Sequence, residues 1–252
     1  MIDRQTLIEI AKTEGLKPYQ EEKKYIQTLI LKAISNSTSL VFKGGTALFL
    51  LYGLNRFSED LDFTATSKLD FAGLLKGISA SLRLMNVKNE IKEFESVSGF
   101  SGRIKAYGPL NSGEKDVSFV KVDISSREKI SLKVNLKEID SNFPDLLPFS
   151  LQVMNEKEIL AEKIRAVMTR NQARDVYDLY FLLKKGIKLD IPLSNKKLEY
   201  YKLKFSMELF EKSLEKKRDV WKTELNPIII GNVPDFDAVK SSIIDMVTTT
   251  NR

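Results

Sequence analysis

Apolar residues recur at helical spacing over residues 3–14, with Leu7, Ile10 and Ala11 on one side and Gly15 ending the run. The same period returns over 19–35 through Tyr25, Ile26, Leu29, Ile30 and Ala33, and Ser-Asn-Ser-Thr-Ser then reads as a loop. Leu40 to Lys43 is a short apolar run that predicts a strand. Gly44-Gly45 breaks it, and Thr46 to Tyr52 returns to helix. Residues 60–64 predict a second strand, and 69–84 an amphipathic helix with Leu74, Ile78 and Leu82 inward. Strand-like stretches follow near 89–96, 101–107, 116–124 and 130–135. Phe143-Pro144 through Pro148 reads as a linker. Beyond it, 155–169, 173–185 and 196–218 show helical periodicity rich in Lys and Glu, and 236–248 predicts a closing helix. The expected fold class is α+β: a mixed sheet flanked by helices in residues 1–145, then a helical region over 146–252 that completes a cleft.

Composition narrows the chemistry. The chain has 252 residues, 42% of them apolar, enough for one large or two modest domains. A formal charge of +6, with both signs mixed along the chain, permits nucleic acid or nucleotide partners without demanding them. The absence of Cys excludes disulfides, thiolate metal sites and a thiol nucleophile. The absence of His excludes imidazole ligands and the commonest general base. Metal and proton chemistry therefore falls mainly to Asp and Glu. The start, Met1-Ile2-Asp3-Arg4, does not read as a signal peptide, and no apolar run approaches the roughly 20 residues of a membrane span. The expectation is a soluble cytoplasmic protein without a membrane partner.

One constellation stands out. Asp60 and Asp62 lie at i and i+2 in a predicted strand, so they share a face while Leu61 and Phe63 point to the core. Such a pair is often mere solvated surface. Here a Gly-Gly-Thr turn stands about fourteen residues upstream, where glycines allow backbone N–H groups to approach a phosphate and the following helix presents its positive end. In Lys121-Val122-Asp123-Ile124 the apolar positions alternate inward, so Asp123 becomes a third carboxylate if that strand pairs beside 60–64. Without that pairing it is an exposed strand residue. Two adjacent acids invite a hard cation such as Mg2+, often bound together with a substrate phosphate.

Gly44-Gly45-Thr46 with Asp60-Leu61-Asp62 resembles the signature of the DNA polymerase beta-like nucleotidyltransferase superfamily. The fuller strings Lys43 to Leu48 and Arg56 to Phe63 resemble its AbiEii/AbiGii abortive-infection toxin family. A second block, Glu162-Lys163-Ile164-Arg165-Ala166 followed by Arg174-Asp175-Val176-Tyr177-Asp178-Leu179, is similar to that family's C-terminal motif. The resemblance covers roughly residues 40–185.

It implies a nucleotidyltransferase that moves nucleotides from an NTP to a cellular acceptor, with tRNA as the expected acceptor and Mg2+ as cofactor. It also implies a toxin with a cognate antitoxin. Residue by residue, it implies that Gly44, Gly45 and Thr46 bind the phosphates and that Asp60, Asp62 and Asp123 hold Mg2+. Lys163 would reach the triphosphate, and Asp175 would lie at the same cleft. Arg56 and Ser58 would contact phosphate. Read by itself, Arg174-Asp175 is equally a structural charge pair tying two helices. The lysine-rich stretch from Lys196 to Arg218 is a wet helix face or a grip on an RNA backbone. Two further readings stay open: a non-catalytic nucleotide or nucleic-acid binding module, and transfer to a protein or small molecule.

Overall fold

The period-2 stretches of the first half become strands of one sheet, and the period-3.6 stretches become the helices that cover it. The computed structural model describes residues 1–96, 99–113 and 116–250. Among these the chain divides into two compact units. The first holds Met1–Gly53, Phe57–Lys129 and Val134–Val153. The second holds Leu54–Arg56, Ile130–Lys133 and the chain from Met154 onward.

The first unit opens with helices α1 (Arg4–Glu14) and α2 (Pro18–Ile34). Asp3 caps α1 by accepting from the Thr6 N–H, and Gly15 closes it at φ +70°. Strand β1 (Leu40–Lys43) runs directly into α3 (Gly44–Tyr52), and β2 (Leu61–Ala65) and α4 (Phe71–Leu84) follow. Then come β3 (Lys88–Ser96), β4 (Gly99–Tyr107), β5 (Ser118–Ser125), β6 (Asn135–Ile139) and β7 (Phe149–Val153). The seven strands form one sheet in the order β3-β4-β5-β2-β1-β7-β6. The sheet is mixed: β2 pairs with β5, and β1 with β7, in parallel, while the other pairs are antiparallel. One face carries the core. Leu61, Phe63, Val120, Val122, Ile124 and Ile104 are buried there, as are Tyr25, Ile26 and Ile30 of α2. Gly102 lies under α4, where a side chain would meet Leu75 and Phe71. Phe71 stacks on Phe100 with ring centroids 5.0 Å apart.

The second unit is helical: α5 (Glu156–Thr169), α6 (Ala173–Lys184), α7 (Ile191–Leu198), α8 (Met207–Glu215), α9 (Trp221–Leu225) and α10 (Phe236–Thr250). Helix α5 packs against α6, α7 and α8, and α6 also packs against α9 and α10. No helix among the described residues is long and apolar enough to cross a membrane.

Three local expectations change. Residues 130–134 are not a strand. The Ser131 and Leu132 N–H groups instead donate to the buried Glu158 carboxylate, at 2.9–3.1 Å and 2.9 Å. Residues 149–153, expected within the helical region over 146–252, form strand β7, which pairs with β1 and β6. The helix expected over 196–218 is broken: α7 ends in a 3-10 turn (Glu199–Tyr201), Lys202 turns at φ +54°, and Ser206 caps α8. Asn195 Oδ1 pins the break by accepting from the Phe205 N–H at 2.8 Å. This stretch is therefore no continuous basic stripe. Lys197 is buried against Glu158 and Glu162, and Lys217 donates from a buried site to the Val167 and Ser213 carbonyls, both at 2.6 Å.

Candidate active site

The strand register builds a polar row on the face of the sheet opposite the core. Lys43 pairs with Asp62, Asp62 with Asp123, and Asp123 with Ser101, across β1, β2, β5 and β4. In-register neighbours project to the same face, so Asp62 and Asp123 stand side by side on adjacent strands about 5 Å apart. Both are partly exposed, while the alternate positions Leu61, Phe63, Val122 and Ile124 are buried. The same alternation that makes the core also presents the acids.

Asp123 is already engaged. The Ser101 hydroxyl donates to its Oδ1 at 2.6 Å, and the Lys121 ammonium lies 2.7 Å from its Oδ2. Asp62 sits against the turn between β1 and α3. Gly44 adopts φ +79°, and a Cβ there would lie 2.4 Å from Asp62 Oδ2. Glycine is thus required twice at this position, for the left-handed backbone and for the closeness of the carboxylate. Helix α3 begins at this turn without a capping hydrogen bond from the side chain of Lys43.

Asp60 stands one residue ahead of β2. Its carbonyl accepts from the Thr46 hydroxyl, which also lies 2.9 Å from Ser58 Oγ. Thr46 is fully buried. Its side chain therefore ties α3 to the segment carrying Asp60. The Ser58 carbonyl is held in turn by the Gln27 side-chain amide at 3.0 Å.

The other expected residues form an ion network within the second unit. Arg56 makes a fork pair with Asp178, with Nε–Oδ1 2.6 Å and Nη2–Oδ2 2.7 Å. Lys163 Nζ bridges Asp178 Oδ2 at 2.7 Å and Asp175 Oδ1 at 3.0 Å. Arg170 closes the chain with a second fork onto Asp175, at 2.7 and 2.9 Å. Arg56, Lys163, Asp175 and Asp178 are all buried. Burial alone would raise both carboxylate pKa values. Lys163 with Arg170 outweighs it at Asp175, and Arg56 with Lys163 outweighs it at Asp178, so both acids are held below the usual carboxylate range. Arg56 and Ser58, expected together at phosphate, are therefore in different surroundings: the Arg56 fork faces Asp178, whereas Ser58 belongs to the Thr46–Asp60 turn.

Sequence reasoning missed Ser101, Lys121, Lys43 and Asp178. Lys121 was within reach, since it shares a strand face with Asp123 at i, i+2. Asp178 was too, being one helical turn from Asp175. Ser101 and Lys43 enter only through strand register.

Among the described residues no three carboxylates converge as a ready-made metal cage. The donors nonetheless suit Mg2+, which favours oxygen ligands and is commonly held by one or two carboxylates completed by substrate phosphates and water. Asp62 and Asp123 supply that pair, and the ammonium of Lys121 on Asp123 marks where positive charge is already accommodated.

The model of one protein family, described as nucleotidyl transferase AbiEii toxin, type IV TA system, matches residues 30–242. Among solved structures, the chain is similar to MenT4, a nucleotidyltransferase toxin from Mycobacterium tuberculosis H37Rv, with 18% identity and a TM-score of 0.72, covering all of this chain and 90% of that one. It is also similar to JHP933 from Helicobacter pylori, with 22% identity and a TM-score of 0.63, covering 92% of this chain and 91% of that one. At such identities these likenesses show the fold, and they agree with the mixed sheet and helical second half. No curated protein sequence matches the chain.

Proposed function

The chain belongs to the AbiEii family of nucleotidyltransferase toxins from type IV toxin–antitoxin systems, and from that premise we propose that it transfers nucleotides from an NTP to the 3′ end of an RNA, with tRNA as acceptor and Mg2+ as cofactor. As a family member it is a nucleotidyltransferase with an antitoxin counterpart. An RNA acceptor places its action in the cytoplasm.

The observation that supports the reading most strongly is the in-register pair Asp62–Asp123 beside the Gly44 turn. Mg2+ held by Asp62 and Asp123, with Asp60 as the further ligand the family resemblance implies, would offset triphosphate charge and make the acceptor hydroxyl more acidic. The start of α3, at Gly44, Gly45 and Thr46, would bind the phosphate oxygens, as the family resemblance implies. The acceptor hydroxyl oxygen forms a bond to the α-phosphorus. The bond from that phosphorus to the bridging oxygen breaks, and pyrophosphate leaves. Asp123 takes the hydroxyl proton, which requires Lys121 to release Oδ2. Thr46 and Ser58 act as positioning residues that fix the segment ahead of Asp62. Lys163 and Asp175 keep the roles the family resemblance implies for them. In that reading Arg56 acts through Asp178, the carboxylate it shares with Lys163.

The test is incubation of purified protein with labelled NTPs, Mg2+ and total RNA. The expected product is label that RNase removes and protease does not, absent with Asp60→Ala. Protease-sensitive label would move the acceptor to protein. No labelled product at all would overturn the proposal.

A further inference from the structure

We infer that the open face of strands β3, β4 and β5 is the docking platform for the single-stranded RNA acceptor, which it leads to the Asp62–Asp123 pair. This rests on the nucleotidyl-transfer reading above. The register places three cross-strand rows on that face: Phe94–Ser101–Asp123, Lys92–Arg103–Lys121 and Glu90–Lys105–Phe119. The opposite face of the same strands is closed by α2 and α4, and its residues Val120, Val122 and Ile104 are fully buried. On the open face, by contrast, Phe94 and Phe119 are 44% and 46% exposed. A phenylalanine on a strand face with no core to join exposes apolar area at a cost, and two of them flanking an arginine point to a ligand with flat apolar surfaces.

The arginine is Arg103. Its guanidinium lies 5.9 Å from the Phe94 ring centroid and 6.0 Å from that of Phe119. A third ring, Tyr107, carries Lys88 and Lys105 at 5.0 Å each. The face thus holds Lys88, Lys92, Arg103, Lys105 and Lys121 against the two acids Glu90 and Asp123, with Glu90 already bound by Lys105 and Tyr107. Aromatic rings interleaved with excess positive charge on an open sheet suit a single strand: the bases stack on the rings and the phosphates meet the cations. A duplex hides its base faces and would leave the rings without partners.

The dimensions fit. Phe119 is four residues along β5 from Asp123, about 13 Å, which a stacked strand crosses in about four nucleotides. Phe94 is two strands from Asp123 in the same row, about 10 Å away. A 3′ end lying along β5 therefore reaches Asp123, where its hydroxyl would react.

The experiment measures binding of a labelled 12-nucleotide single-stranded RNA by fluorescence anisotropy, alongside NTP binding by calorimetry. The proteins are the full-length wild type, Phe94→Ala, Phe119→Ala, Arg103→Ala and, as a remote charge control, Lys12→Ala, each checked for native melting. The expected result is RNA affinity weakened about tenfold by each of the three platform variants. A shallower salt dependence should accompany the loss of Arg103, while NTP binding stays unchanged and Lys12→Ala behaves as wild type. Unchanged RNA affinity in all three platform variants overturns the inference, even if the wild type still labels RNA, in which case the transfer reading stands alone. Equal or tighter binding of a duplex also overturns it, as does tighter binding of single-stranded DNA of the same sequence. If the wild type turns over NTP but binds no RNA, the platform falls together with the choice of RNA as acceptor.

Discussion

A methyl group added at Gly44 should separate the fold from the chemistry. Gly44→Ala places a Cβ 2.4 Å from Asp62 Oδ2 and 3.0 Å from Asp62 Cβ and Cγ, so the carboxylate has to move. It also forces alanine to φ +79°, which costs about 1–2 kcal/mol. Gly53, at the other end of α3, supplies a matched control: it has the same φ of +79°, and a Cβ there meets nothing within 4 Å. Urea unfolding should show both variants destabilised by about 1–2 kcal/mol, Gly44→Ala somewhat more because of its clash. Transfer of labelled nucleotide, corrected for the folded fraction, should then divide them. Gly53→Ala should work at the wild-type rate, whereas Gly44→Ala should lose about two orders of magnitude, the scale expected when a reacting geometry shifts by about 1 Å. Equal rates for the two variants would refute the reasoning, because the position of the Asp62 carboxylate would then be irrelevant to turnover.

Other outcomes follow from buried charge. Asp178→Ala removes the carboxylate shared by Arg56 and Lys163 and should destabilise the protein by about 3–5 kcal/mol at neutral pH, read by denaturant unfolding. Since Asp178 and Asp175 have lowered folded-state pKa values, their stabilisation is present above about pH 4 and is lost as pH falls below it. The gap between wild type and Asp178→Ala should narrow only in that acid range, and a gap constant down to pH 2 would contradict the network. Glu21 in α2 is fully buried, neither of its oxygens accepts a hydrogen bond among the described residues, and burial pushes its pKa up to about 7 against the pull of Lys24 at 3.4 Å. Its protonated form favours folding, so that contribution is full below about pH 4 and lost as pH rises through about 7. Glu21→Gln should match wild type near pH 4 and exceed it by about 3 kcal/mol at pH 8. Parallel stability profiles across that range would show that Glu21 ionises as an ordinary carboxylate.

The sequence made the centre of the sheet legible because its signals were local. Leu40–Lys43 followed by two glycines could only end a strand and begin a helix, and the alternation through Asp60–Phe63 and Val120–Ile124 declared which residues face outward. The pairing of β2 beside β5 that the reading of Asp123 requires is present, and it sets Asp123 beside Asp62, though no three carboxylates cluster among the described residues. What stayed hidden depended on long-range placement. Strand β7 follows a proline-flanked segment that reads as linker, and its strand character comes from pairing with β1 and β6. The 196–218 stretch keeps helical periodicity, but Ser206 caps a new helix within it and Asn195 fixes the turn, so two short helices replace one. Lys197 and Lys217 looked like solvated positions, yet a buried carboxylate pair and a set of backbone carbonyls take them inside. Arg56 precedes the acids by only a few residues, yet its side chain serves Asp178, more than a hundred residues away in sequence.

The central claim is that Asp62 and Asp123, side by side on β2 and β5, seat the transfer reaction. Pyrophosphate release from NTP in the presence of Mg2+ and RNA tests it directly when wild type is compared with Asp62→Asn and Asp123→Asn. These substitutions keep shape and fold while removing charge. The account predicts release by the wild type and a loss of at least a thousandfold in each variant with melting temperature held. Release at the wild-type rate from either folded variant would contradict it.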